Sequence, residues 1–289
     1  MTPELVAATP LAAPPTREWV KQLFDGLKAP VPPRHLVANI YYVGVSGISS
    51  FLITTPEGDI LIDTGFADTV PLIARSVEQL GFKLSDIKIL LSSHAHIDHT
   101  GGHALMKKLT GAQIYASAPA ARLLASGGAD DFITFPPDTI VYTPVKVDHE
   151  VSDGDKVTLG GVTLTAHLTP GHTRGATTWS MTVDDHGRTL HVVFFSSLTI
   201  NPGVRLLHNQ KYPEIVQDYE IAFARLKSLP CDIFFAPHAY QFGMAEKFAQ
   251  MDKDGGIAPL IDPKGWATLI AKNEAAFRNQ LAAEHAAAP

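Results

Sequence analysis

The stretch His94-Ala95-His96-Ile97-Asp98-His99 places three imidazoles and one carboxylate within six residues. Zinc prefers imidazole nitrogen and carboxylate oxygen as donors, and side chains two apart in an extended loop can converge on one ion while a neighbour faces another. The run therefore has donors to share between two metals. Two further histidines stand in comparable settings: His172 in Thr169-Pro170-Gly171-His172-Thr173 and His238 in Ala236-Pro237-His238. Each follows an apolar stretch, with Gly or Pro fixing the turn. Either one alone reads as an ordinary loop histidine. Added to the first run they complete two sets of three protein ligands, and three ligands with an open position is the arrangement of catalytic rather than structural zinc. His103, His149, His167 and His208 have no such spacing and read as structural or solvated.

Residues this far apart in sequence need a scaffold that returns strand ends to one place. The apolar run Ile87 to Leu91 leads straight into the histidines, so they are expected in a loop at a strand's carboxyl end, where α/β folds keep functional loops. Upstream, Leu36 to Val45, Ser49 to Thr55 and Asp59 to Asp63 read as antiparallel β-structure turning at Glu57-Gly58. Val70, Ile73, Val77 and Leu80 recur at helical spacing, and Gly81 marks the helix end. Downstream come a helix at Gly102 to Leu109, a strand at Gln113 to Ala116, a short helix near Pro119 to Ala125 and a long loop through Pro137. The second half shifts to strands: Lys156 to Leu159, Val162 to Leu168, Thr177 to Val183 and Thr189 to Phe195. Helix Glu214 to Leu229, strand Asp232 to Ala236 and an Ala-rich helix from Trp266 to Ala283 follow.

This order, β-rich with one or two helices and then the same again, predicts an α/β fold, an αββα sandwich of two mixed β-sheets with helices on the outer faces. No linker separates the halves, so residues 34–289 are expected to form one domain. Residues 1–33 read as a loose arm with one short helix, Arg17 to Leu27, ending at Ala29-Pro30-Val31-Pro32-Pro33.

Composition narrows the function classes. At 289 residues, 45% apolar and 18% charged, the chain is ordinary globular material. A net charge of -6 and no dense Lys/Arg cluster argue against nucleic acid as a partner. No window approaches the roughly 20 apolar residues of a membrane span. The apolar stretch Leu5 to Ala13 is broken by Thr9 and Pro10, so it does not read as a signal peptide, and the chain is either cytosolic or a mature form. Cys231 has no possible partner within the chain and reads as a small buried residue.

The motifs Leu61-Ile62-Asp63-Thr64-Gly65, His94 to His99, Thr169-Pro170-Gly171-His172-Thr173 and Ala236-Pro237-His238 resemble those of subclass B3 enzymes of the metallo-β-lactamase superfamily, from about Asn39 to the last helix. The resemblance implies that His94, His96 and His172 bind a first zinc, that Asp98, His99 and His238 bind a second, and that Asp63 supports the ligand loop from behind. After the strand ending at Phe195, glyoxalase II-like and lactonase-like relatives place a metal-bridging aspartate and other lactamase subclasses a cysteine. This chain has Ser196-Ser197-Leu198-Thr199 instead, which resembles the B3 pattern. Ser197 and Thr199 are then the candidates to hold a substrate carboxylate, while Val204 stands about where some relatives carry a tyrosine.

The implied activity is zinc-dependent hydrolysis of the β-lactam amide of penicillin-, cephalosporin- and carbapenem-type antibiotics by metal-bound hydroxide, an activity of antibiotic resistance. Asp98 would orient the nucleophile. The partner is a small-molecule β-lactam and the implied compartment is the periplasm or the exterior. A lactonase or thioesterase of the same superfamily is the alternative. The loop Gly127 to Pro137 and the N-terminal arm would shape the pocket.

Overall fold

The computed structural model describes residues 13–287; the first part of the N-terminal arm and the last two residues lie outside the described residues. Seven strands form one sheet in sequence order: β1 (Arg34–Val37), β2 (Ile40–Tyr42), β3 (Phe51–Thr55), β4 (Gly58–Ile62), β5 (Ile87–Leu91), β6 (Gln113–Ser117) and β7 (His149–Val151). Pairing is antiparallel from β1 to β4 and parallel from β4 to β7. The second sheet contains β8 (Lys156–Leu159), β9 (Val162–Leu168), β10 (Thr177–Asp185), β11 (Arg188–Phe194) and β12 (Ile233–Phe235), in the order β12-β11-β10-β9-β8. Only the β11–β12 pair in it is parallel.

Period-two alternation explains how the first sheet buries both faces. Phe51, Ile53, Ile60, Ile62, Ile89 and Leu91 point into the core shared with the second sheet, where they meet Leu164, Trp179, Val192 and Phe194. The intervening Leu52, Leu61 and Leu90 point the other way, beneath outer helices α2 (Val70–Gln79), α4 (His103–Thr110) and α5 (Ala118–Ala125) through Val70, Ile73, Val77, Met106 and Leu124. Outside the second sheet, α6 (Ile215–Ser228) and α8 (Pro263–Ala286) pack on each other, with the Phe277 ring 5.2 Å from Tyr219 and 5.5 Å from Phe223. Trp266 of α8 lies against Phe195 and Phe234. The protein is thus the expected αββα sandwich. Among the described residues no helix is long and apolar enough to cross a membrane.

The strands also set where their loops emerge. β4 and β5 are parallel, and β9, β11 and β12 share one direction because β10 runs opposite to both β9 and β11. Hydrogen bonds stitch the two rims together: Thr177 N donates to Ser93 O (2.8 Å), Trp179 Nε1 to Ser92 O (3.0 Å) and Ser49 N to Pro237 O (2.8 Å).

Several elements differ from the sequence reading. The run Leu36 to Val45 is not one strand, because Ala38 takes a left-handed φ of 49° and the chain folds into the β1–β2 hairpin. Neither Ala38 nor Asn39 is a glycine or proline, so composition gave no turn signal there. Strand β7 and helix α7 (Met244–Asp254) were unanticipated: β7 is short and mostly polar, and α7 buries only Met244 and Met251. The described part of the arm is docked. Its helix α1 (Arg17–Gly26) buries Val20, Leu27 just beyond is 3% exposed, and Leu27 O and Ala29 O accept from Gly47 N (3.0 Å) and Ser46 N (2.8 Å).

Candidate metal centre

Each expected donor follows the end of a strand. Beyond β5 the chain runs through an irregular, bent loop from Ser92 to His96 and then makes a single helical turn, α3 (Ile97–Thr100), so Asp98 and His99 are helical rather than in open loop. The turn is closed by His99 N and Thr100 N donating to His96 O (3.1 and 2.9 Å). Gly102 permits close packing beneath it, since a Cβ there would lie 2.6 Å from Thr64 O. At the end of β9, Gly171 adopts φ 132° and would drive a Cβ into the Tyr219 ring, so only glycine turns the chain here to deliver His172. His238 follows β12 and pairs across the rim with Ile48.

All six sequence-predicted donors come together and are buried. Ring centroids are 4.8 Å apart for His94 and His96, 4.6 Å for His94 and His172, 4.7 Å for His96 and His172, and 4.9 Å for His99 and His238. Asp98 Oδ2 lies 3.2 Å from His99 Nε2 and 3.7 Å from His238 Nε2. Donor atoms of His94, His96 and His172 fall within 4.8 Å of one another, as do those of His94, Asp98 and His99. His94 belongs to both groups, and His238 stands beside the second, with its Nε2 near Asp98.

The outward nitrogens are held in turn. His172 Nδ1 donates to Thr199 O at 2.7 Å, which leaves Nε2 for the cluster. His94 Nδ1 lies 3.1 Å from Ser93 Oγ, and Ser93 donates through Oγ (2.6 Å) and backbone N (2.7 Å) to Asp63. Asp63 Oδ2 also lies 3.4 Å from His99 Nδ1. Asp63 thus holds both the backbone and the side chain of Ser93, just before His94. It does so from a left-handed backbone, φ 59°, which costs about 1–2 kcal/mol for a residue with a Cβ.

Burial, reinforced by neighbouring imidazoles, keeps His94 well below its ordinary pKa and lowers His172 to about 3. Burial and the His99 charge lower His238 to about 4. These rings are neutral at pH 7, the form that ligates metals. Burial opposes charge on His99, yet Asp98 and Asp63 overcome it and lift the ring to about 10, while the same histidines hold Asp98 well below the carboxylate range despite its burial. His94 Nε2 and His238 Nδ1 have no hydrogen-bond partner, and the His99 nitrogens lie beside Asp98 and Asp63 without an aligned hydrogen bond. A buried unpaired polar atom costs about 1–3 kcal/mol, and imidazole nitrogens left so around a buried carboxylate fit a divalent cation or a pair of them.

Thr199 lines the cavity over the cluster, and its Oγ1 is 3.3 Å from His172 Nδ1. Ser197 is not brought to that wall. It is 1% exposed, and its Oγ meets Thr199 Oγ1 at 3.2 Å from behind. Sequence reasoning pointed to the N-terminal arm and the 127–137 loop without naming residues. The structure supplies Leu23, Phe24 and Leu27 from the arm and Asp131, Ile133, Phe135 and, just past the loop, Ile140. Asp131 is the polar one among them. Burial would raise its pKa, but His96 and the Ile133 and Phe132 amides bring it below the ordinary value. A cavity of about 630 Å³ opens on the far side of Thr199 and Asn201, between α8 and the loops after β11 and β12.

The family model of the metallo-beta-lactamase superfamily matches residues 43–238. The native FEZ-1 metallo-beta-lactamase from Legionella gormanii shares 41% identity at a TM-score of 0.85, over 88% of this chain and 97% of that one. BJP-1, a subclass B3 metallo-beta-lactamase of Bradyrhizobium japonicum, shares 42% at 0.84, over 90% and 97%. A hydroxyacylglutathione hydrolase of Maricaulis maris is 26% identical over 249 residues, 83% of this chain and 80% of that protein.

Proposed function

The chain belongs to the metallo-beta-lactamase superfamily, and on that premise we propose that it is a β-lactamase, hydrolysing the amide bond of penicillin-, cephalosporin- and carbapenem-type antibiotics with two zinc ions. The observation that carries this reading is its likeness to solved lactamases, 41–42% identity over about nine-tenths of the chain, joined to a complete six-residue donor set. His94, His96 and His172 would hold the first ion and Asp98, His99 and His238 the second. Zinc bound there supplies a water acidic enough to ionise near neutral pH and a Lewis acid for the lactam carbonyl.

The chain's own groups do the rest. Asp98, held ionised, orients the attacking water through a carboxylate oxygen and takes up the proton it releases. The amide nitrogen needs a proton as its bond to the carbonyl carbon breaks, and in this reading Asp98 returns the one it took from the water. Thr199, fixed from behind by Ser197, offers its hydroxyl to the substrate carboxylate, and Leu23, Phe24, Ile133 and Phe135 exclude water around the apolar part of the substrate. An enzyme of this activity would meet such antibiotics outside the cytoplasm, and we propose a periplasmic or secreted protein.

A thioester hydrolase is the second reading, favoured by the hydroxyacylglutathione hydrolase relative and by a neighbouring cavity roomy enough for a long thiol portion. Against it, the chain offers hydroxyls, Ser196 and Ser197, after β11 rather than a carboxylate that could bridge two metals. Side-by-side kinetics with a penicillin, a carbapenem, an acyl lactone and a hydroxyacyl thioester of glutathione separate the readings. Lactam turnover is expected to dominate; thioester or lactone turnover far exceeding it refutes the proposal.

A further inference from the structure

In the first proposed ligand set two imidazoles have an evident partner on the nitrogen turned away from the cluster, Ser93 Oγ for His94 and Thr199 O for His172. The third, His96, comes at the end of an irregular loop and has no such partner nearby in sequence. Its Nε2 meets a residue from a different part of the fold: Asp131 Oδ2, at 3.2 Å. The two side chains are only 9% and 3% exposed. The contact is a close charge pairing rather than an aligned hydrogen bond, since His96 Nε2 has no partner of good geometry.

We propose that Asp131 is a positioning residue: by holding a proton on His96 Nε2 it turns the lone pair of Nδ1 towards His94 and His172, and so sets the metal affinity of that set. A carboxylate behind a ligating imidazole fixes both its tautomer and its orientation. Asp131 is itself anchored. Its other oxygen, Oδ1, accepts from Ile133 N at 3.3 Å, and Asp131 N donates to Gly128 O at 3.2 Å. Further along the same segment, Tyr142 Oη donates to Ala95 O at 2.7 Å, beside His96. The segment carrying Ile133, Phe135 and Ile140 along the cavity is therefore tied to the ligand run at both ends. Any ligand that displaces this segment pulls on His96.

The inference rests on the metal-binding reading above, and its test reads metal rather than lactam. Metal-free wild type, Asp131→Ala and Asp131→Asn are titrated with zinc against a chromophoric chelator, and thermal unfolding of each metal-free protein is recorded. Asp131→Ala is expected to weaken one of the two zinc equivalents 10- to 100-fold and leave the other within about threefold. Asp131→Asn keeps an oxygen to accept from Nε2 and should lose less than tenfold. Wild-type affinity for both equivalents in Asp131→Ala overturns the proposal, as does an equal loss at both sites accompanied by a lowered melting temperature, which marks a merely structural role. A wild-type chain that takes up no zinc overturns the metal reading itself.

Discussion

Two buried polar clusters in this protein make an instructive contrast. On α8, Glu284 is 1% exposed and its carboxylate accepts from Leu206 N (2.9 and 3.0 Å), Leu207 N (2.7 Å) and Gln280 Nε2 (2.9 Å), while Gln280 also donates to Val204 O (2.8 Å). The carboxylate accepts from two backbone amides and a side-chain amide, so the cluster serves to pin the loop before α6 onto the last helix. At the sandwich rim, the imidazoles of His94 and His99, 1% and 0% exposed, keep nitrogens with no aligned hydrogen bond. A fold that satisfies one buried cluster and leaves another open is holding the open one for something absent from the polypeptide. His103 lies between these cases, with Nδ1 2.8 Å from Thr64 Oγ1 and a lone unpartnered Nε2. Among the described residues it is not part of a group of three donors that could hold a metal ion.

The contrast predicts opposite outcomes for substitution. At the rim, Asp98→Asn should lower kcat by about 10²- to 10⁴-fold, the range of a lost general base, with an unchanged circular dichroism spectrum. Near-wild-type turnover in the zinc-loaded variant would remove Asp98 from the mechanism. At the other cluster, Glu284→Ala strands two backbone amides and should cost roughly 2–4 kcal/mol of unfolding free energy with kcat within about twofold. Urea unfolding checks it, and a stability loss under about 0.5 kcal/mol would mean that the α8 cluster does not pin the loop.

The smallest effect concerns His103. Burial lowers its folded-state pKa to about 3, against about 6.5 unfolded. The unfolded chain therefore binds the proton first as pH falls, so stability is full above about pH 6.5 and declines from there towards pH 3. In metal-free protein, wild type should lose roughly 1–2 kcal/mol more than His103→Gln between pH 7 and pH 5. Equal losses would show that His103 is protonated in the folded state.

The same contrast explains what sequence made legible. The rim cluster announced itself because His94, His96, Asp98 and His99 are packed into one run, and because His172 and His238 follow apolar strands at Gly or Pro turns. The alternation of β3, β4 and β5 likewise revealed strands and layers. Asp131 and Glu284 could not be found that way. Each is a single acid in unremarkable surroundings, and its partner, His96 or Leu206, is brought to it only by tertiary packing. Helix α3 was hidden for a related reason: a single turn of four residues, two of them the donors Asp98 and His99, carries little helical periodicity. Ser197 was misread towards the cavity because spacing places a hydroxyl on a loop without saying which way it faces.

The most direct test of the account is hydrolysis of a chromogenic β-lactam by the wild-type chain before chelation, after removal of metal, and during stepwise return of zinc. Activity should vanish in the metal-free protein and be restored as zinc reaches two equivalents per chain. Undiminished hydrolysis without metal, or a zinc-loaded chain that leaves the lactam intact, would contradict it.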